Sequence, residues 1–103
     1  MKVRIYAVFD AKAAVYQGFF FGITDGVAIR MFTDACKDPG TALYRHPADF
    51  ALFHLGQVDD HSGQLDSGKP VWLANASSAV QEKGGGPLFE VLNSASKEEP
   101  ADG

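Results

Sequence analysis

The chain has 103 residues, 46% hydrophobic and 21% charged, with a formal charge of −4. This composition excludes a disordered polymer, and the length leaves room for one domain. The single cysteine, Cys36, excludes an internal disulfide, and the negative charge argues against strong, indiscriminate binding to nucleic acid.

The charge is unevenly spread. Residues 1–50 carry six basic residues (Lys2, Arg4, Lys12, Arg30, Lys37, Arg45) against five acidic ones, and residues 51–103 carry three against eight. A mildly basic first half and an acidic second half follow. Met1-Lys2-Val3-Arg4 leads into an alternating pattern rather than a signal peptide, and no run reaches the roughly 18 apolar residues of a membrane span. The expected setting is a reducing cytoplasm.

In chain order, residues 2–9 alternate, with Val3, Ile5, Ala7 and Phe9 on one side and Lys2, Arg4, Tyr6 and Val8 on the other. This is the pattern of a half-buried strand, and the face with the cations is expected to be the outer one. Asp10 to Ala14 turns. Val15-Tyr16 and Phe19-Phe20-Phe21 form a second extended piece, interrupted by Gly18 and closed by Gly22. Thr24 caps a helix of about three turns with Val27, Ala28, Met31, Phe32 and Ala35 on its inner face, and Asp38-Pro39-Gly40 stops it.

Thr41 to Tyr44 reads as one helical turn, and Pro47 pushes His46 into an extended conformation. Phe50 to Val58 is a strongly apolar run, expected as a central strand. Asp59 to Gly63 turns, with Gly63 available for a positive φ. A partner strand follows in two pieces, near Gln64-Leu65 and at Val71-Trp72-Leu73, and Pro70 places it at an edge. Residues 77–83 form a short helix, residues 84–87 a Gly-Pro break and residues 88–92 an apolar patch. The elements therefore predict an α+β fold: a small antiparallel sheet of about four strands with one main helix on one face. The core domain spans residues 1–75, a partly ordered extension residues 76–93, and an acidic flexible tail residues 94–103. A two-layer domain of this size covers one side of its sheet, so a homodimer is expected through the other side or an edge strand.

The chain carries no pattern of an active site. His46, His54 and His61 lie too far apart along the sequence for a shared chelating element, no cysteine pair helps, and no metal or cofactor is expected. Cys36, near a helix end, reads as a small buried apolar residue. Gly84-Gly85-Gly86 lacks the Lys-Ser/Thr of a phosphate loop, and Asp59-Asp60 is a solvated turn. The protein is expected not to be an enzyme.

The aromatic residues are more informative. Phe19, Phe20 and Phe21 cannot share one side of a strand, so at least one ring must be exposed or covered by a helix, a second subunit or a stacked base. Rings that stack bases beside cations that follow phosphates are how single strands are held without sequence preference. Arg4, Tyr6, Lys12, Tyr16, Phe20, Arg30, Arg45 and His46 are the candidate DNA contacts.

Three segments carry a resemblance. They are Tyr6-Ala7-Val8-Phe9-Asp10-Ala11-Lys12-Ala13 with Tyr16 and Phe20-Phe21; Ala28-Ile29-Arg30-Met31-Phe32; and Asp38 through Phe53, with Leu43-Tyr44-Arg45-His46-Pro47-Ala48-Asp49-Phe50-Ala51-Leu52-Phe53 at its heart, running on to Gly56 and Asp59-Asp60-His61-Ser62-Gly63. Together they resemble the small nonstructural protein of gokushovirus-type microviruses, phages with circular single-stranded DNA. The resemblance covers residues 2–75. It departs at Ser62-Gly63, where the family tends to have Thr-Gly, and in the extension after residue 75. It implies a protein of the host cytoplasm, absent from the mature virion, that binds single-stranded DNA during genome synthesis and packaging. The alternative is a protein-binding module acting on the replication initiator, the procapsid or a host factor.

Overall fold

The computed structural model describes residues 1–84. Strand β1 (Lys2–Asp10) and strand β2 (Val15–Gly22) are followed by helix α1 (Asp25–Cys36), the short helix α2 (Ala42–Arg45), strand β3 (Phe50–Asp59), strand β4 (Leu65–Asn75) and helix α3 (Ala76–Gly84). The four strands form one antiparallel sheet in the order β2-β1-β3-β4. This is the expected α+β architecture. The apolar run at Phe50 is central, and the strand with Pro70 lies at an edge.

Both hairpin turns use one device. Asp10 accepts hydrogen bonds at Oδ1 from the amides of Lys12 (3.0 Å) and Ala13 (3.3 Å), and Ala14 N donates to Asp10 O at 2.7 Å. Asp59 accepts from His61 (2.9 Å) and Ser62 (3.4 Å), and Gly63 N donates to Asp59 O at 2.7 Å. The fifth residue of each turn is left-handed: Ala14 at φ 60° and Gly63 at φ 76°. The two amide bonds also hold the Asp59 carboxyl below its ordinary range.

The strands are not regular. Between the pairs Tyr6↔Phe20 and Val8↔Gln17, β2 holds one residue more than β1. Gly18 absorbs the excess at φ 61°, a conformation that costs a side-chain-bearing residue roughly 1–2 kcal/mol. Leu55 is extra in β3 opposite β1. In β4, residues 68–70 lie opposite Leu55 alone, so the two expected pieces are one strand with an excursion.

The helices cover one face of the sheet. The core holds Tyr6, Ala28, Phe32, Cys36, Phe50, Leu52, Ala76 and Ala79, with Val8, Phe20 and Leu43 packed against it. Thr24 caps α1 as expected, accepting from Val27 N at 3.2 Å. The helix is turned slightly from the expected stripe: Ala28, Phe32 and Cys36 are buried, and Met31 is 47% exposed. Thr41 caps α2 and also donates to Ala35 O at 2.9 Å, which ties α2 to the end of α1. His46, at φ −134° and ψ 57°, avoids the α region without becoming extended, and a 3-10 turn, Pro47–Asp49, leads into β3.

One correction follows from this packing. The face of β1 with Arg4, Tyr6 and Val8 is the inner one, under the helices, not the outer one. Beyond residue 75, α3 buries Ala76 and Ala79. The Gly-Pro break, the apolar patch at residues 88–92 and the acidic tail lie outside the described residues.

Candidate functional site

Tyr6 explains why β1 faces inward on that side. Its ring stacks on Phe20 at 5.4 Å and meets His54 edge-on at 5.5 Å. Burial of the ring is tolerable because the phenol is satisfied: Tyr6 OH donates to Asp25 Oδ1 at 2.8 Å and accepts from Arg4 Nε at 3.0 Å. Arg4 Nε also donates to Asp25 Oδ1 at 2.9 Å. Asp25 stands in the first turn of α1, where the helix dipole favours its charge. Burial, reinforced by the hydrogen bond to Asp25, pushes the Tyr6 phenol up to about 12. Desolvation opposes the charge on Arg4, but Tyr6 and Asp25 outweigh it and raise the guanidinium further.

The sequence-predicted site residues are not brought together. Tyr6 is 0% exposed and cannot reach a ligand. Arg4 is committed to Asp25, and Phe20 points into the helical layer. Arg30 is exposed on α1, while Arg45 donates to Pro39 O at 3.4 Å and His46 is exposed beside it, all in the helical layer. Lys12 sits at the tip of the β1–β2 turn. Of the predicted rings, only Tyr16 lies on the other face.

Among the described residues, nothing covers the other face. β1 lends it Val3, Ile5, Ala7 and Phe9, and the residues paired with these fill out the strands on either side. Phe9, Tyr16 and Phe53 form a cluster, with centroids 4.8 Å apart for Phe9 and Tyr16, 5.5 Å for Tyr16 and Phe53, and 6.2 Å for Phe9 and Phe53. Alternation places Phe19 and Phe21 of β2 on this side, and Trp72 pairs with Phe53 across β3 and β4. Phe19, Phe21 and Trp72 are 63%, 62% and 54% exposed. The indole is pinned by its Nε1–H donating to Asn75 Oδ1 at 2.9 Å.

No Asp, Glu, Lys or Arg points from the paired strand positions into this face. Met1 pairs with Asp60 at 2.9 Å at the β3–β4 turn, Lys2 and Asp66, paired at 3.1 Å, are in the register of Arg4 on the opposite face, and Lys12 and Lys69 are exposed. The surface can stack flat rings or bury apolar side chains, and it offers no acid–base group. An apolar hollow of about 240 Å³ between β2 and α1, lined by Val8, Phe20, Met31 and Leu43 among others, is equally without a polar group. Among the described residues no three His, Cys, Asp or Glu side chains gather as metal ligands, and no helix is long and apolar enough to cross a membrane.

Phe9, Phe53, Phe21 and Trp72 were not among the predicted contacts. Their signal was present in the alternation Phe9, Ala7, Ile5 and in Ala51, Phe53, but the face of β1 with Lys2 and Arg4 also carries Tyr6 and Val8, so periodicity alone does not say which one a helix covers.

The profile of the family described as Phage ORF5 protein matches residues 3–79, about three quarters of the chain. The chain belongs to this family. It is a phage accessory protein, and the matched span contains the sheet from its second residue onward and the start of α3. No curated protein and no solved structure matches it.

Proposed function

We propose that this phage protein binds single-stranded DNA without sequence specificity, by stacking bases on its bare sheet face. One observation carries the reading: a four-stranded sheet covered by helices on one side presents Phe9, Tyr16, Phe19, Phe21, Phe53 and Trp72 on the other. Every base has a π-face, so a platform of rings accepts any sequence, at about 1–3 kcal/mol per stacked base. Lys12 and Lys69 at the rim are the phosphate contacts. Compared with the sequence-derived set, Tyr16 and Lys12 remain, while Arg4, Tyr6, Phe20, Arg30, Arg45 and His46 drop out. The resemblance to microviruses supports single-stranded genome synthesis and packaging, in the host cytoplasm and outside the mature virion, as the setting.

Fluorescence anisotropy with labelled oligo-dT tests this. Binding should weaken about 5- to 100-fold in Phe21→Ala or Trp72→Ala. With so few cations, log affinity should fall with log salt at a shallow slope, about −0.7 for each phosphate neutralised. Absence of binding at low salt and tens of micromolar protein rejects the reading. A second reading draws on the uncharged character of the face: a protein-binding module for the replication initiator, the procapsid or a host factor. Under it, a pull-down from infected cells keeps its partner after nuclease treatment; under the first, the partner is lost.

A further inference from the structure

We infer that a second copy of this chain closes the bare sheet face whenever no other ligand occupies it. The size of the face is the first argument. Four strands spaced about 4.8 Å apart and about nine residues long give a flat footprint of roughly 550 Å², before the relief of protruding rings is added. That is already at the upper end of the apolar patch a monomer exposes, and it approaches the roughly 800 Å² per partner of a standard stable interface.

Charge is the second argument. The molecule carries a net −4, yet its paired strand positions turn no charged side chain into this face. A second copy can therefore approach without burying an ion.

Relief is the third. Large rings stand at the two edges, Phe19 and Phe21 on β2 and Trp72 on β4, while in the middle strands Phe9 and Phe53 stand opposite the small residues Ala51 and Ala7, with Gly56 further along. Large against small is the relief that facing sheets interdigitate at about 10 Å separation. A two-fold axis gives both copies the same contact and a closed assembly.

The same face is assigned to DNA above, so dimerisation and DNA binding exclude each other. This competition rests on the DNA reading; the dimer does not. Light scattering on the full chain without DNA is the primary test, from about 1 to about 100 µM. The mass should be twice that of the chain at the upper end. The double variant Phe21→Asp, Trp72→Asp, at two exposed edge-strand positions, should raise the dissociation constant about 30-fold or more while keeping the wild-type circular dichroism. The only tryptophan, Trp72, supplies a second measurement without mutation: its emission should shift to the red as the dimer is diluted. A single-chain mass at about 100 µM with constant emission on dilution overturns the inference, as does a dimer that the double variant leaves intact. Added oligo-dT should convert the dimer to a DNA-bound monomer. A protein that stays dimeric and fails to bind oligo-dT disproves the DNA reading and leaves the dimer standing.

Discussion

Ala14 is where residue chemistry and backbone geometry disagree. It occupies the position in the β1–β2 turn that Gly63 occupies in the β3–β4 turn, and both are left-handed. A Cβ in that region meets the neighbouring carbonyl, at a cost of about 1–2 kcal/mol that glycine avoids. Ala14→Gly should therefore stabilise the fold by about 0.5–1 kcal/mol, the relief being partly offset by the added freedom of the unfolded chain. Gly63→Ala should destabilise it by a similar amount. Urea unfolding followed by circular dichroism gives both values, and a loss of stability in Ala14→Gly would contradict the turn geometry. The Asp10 and Asp59 anchors were visible as turn residues in sequence. That the two turns are copies of each other was not, because a positive φ at an alanine leaves no sequence signal.

Pairing between elements depends on close approach at one point. In β3, Gly56 lies against β4, and a Cβ there would run into the carbonyl oxygen of Asp66 and come within 3.2 Å of Ser67 Cα. Those are backbone atoms and cannot swing away. Gly56→Ala should thus push β4 off β3 and cost about 1–3 kcal/mol, with faster hydrogen exchange at the amides of residues 65–67. Protection equal to wild type would show that β4 tolerates the shift. Sequence reading placed β3 and β4 correctly as a hairpin, because the Asp59–Gly63 turn and the flanking apolar runs are local signals. The excursion at residues 68–70 and the insertion at Leu55 depend on how three strands share one sheet, and no local pattern encodes them.

In the whole molecule, the joint between sheet and helices contains two buried weak acids. Burial pushes the Cys36 thiol from an ordinary value of 9.0 up to about 11, and the Tyr6 phenol from 10.0 up to about 12. Both side chains are 0% exposed. In each case the folded state holds a proton that the unfolded state releases first. Their contribution to stability is therefore complete below pH 9 and is lost as pH rises from about 9 to about 12, by on the order of 2 kcal/mol each. Unfolding midpoints measured from pH 8 upward should fall across that window, and Cys36→Ala should flatten its lower part. A midpoint constant to about pH 11 would show that water reaches the joint.

The sequence by itself determined the elements, their order and the α+β class, because strand alternation, the Thr24 cap, the Pro39-Gly40 stop and the Pro70 edge signal all act over a few residues. It also determined that one of three consecutive phenylalanines had to differ in environment from its neighbours. Only the tertiary structure decided which face of the sheet the helices cover. β1 carries rings or aliphatic side chains on both sides, and the choice falls to a long-range fit: the Tyr6 phenol and Arg4 meet Asp25 at the start of α1, 2.8 and 2.9 Å away. That contact turns Phe20 and Tyr6 inward, spends Arg4 on an ion pair, and leaves the rings of Phe9, Tyr16, Phe53 and Trp72 on the side that none of the described helices covers.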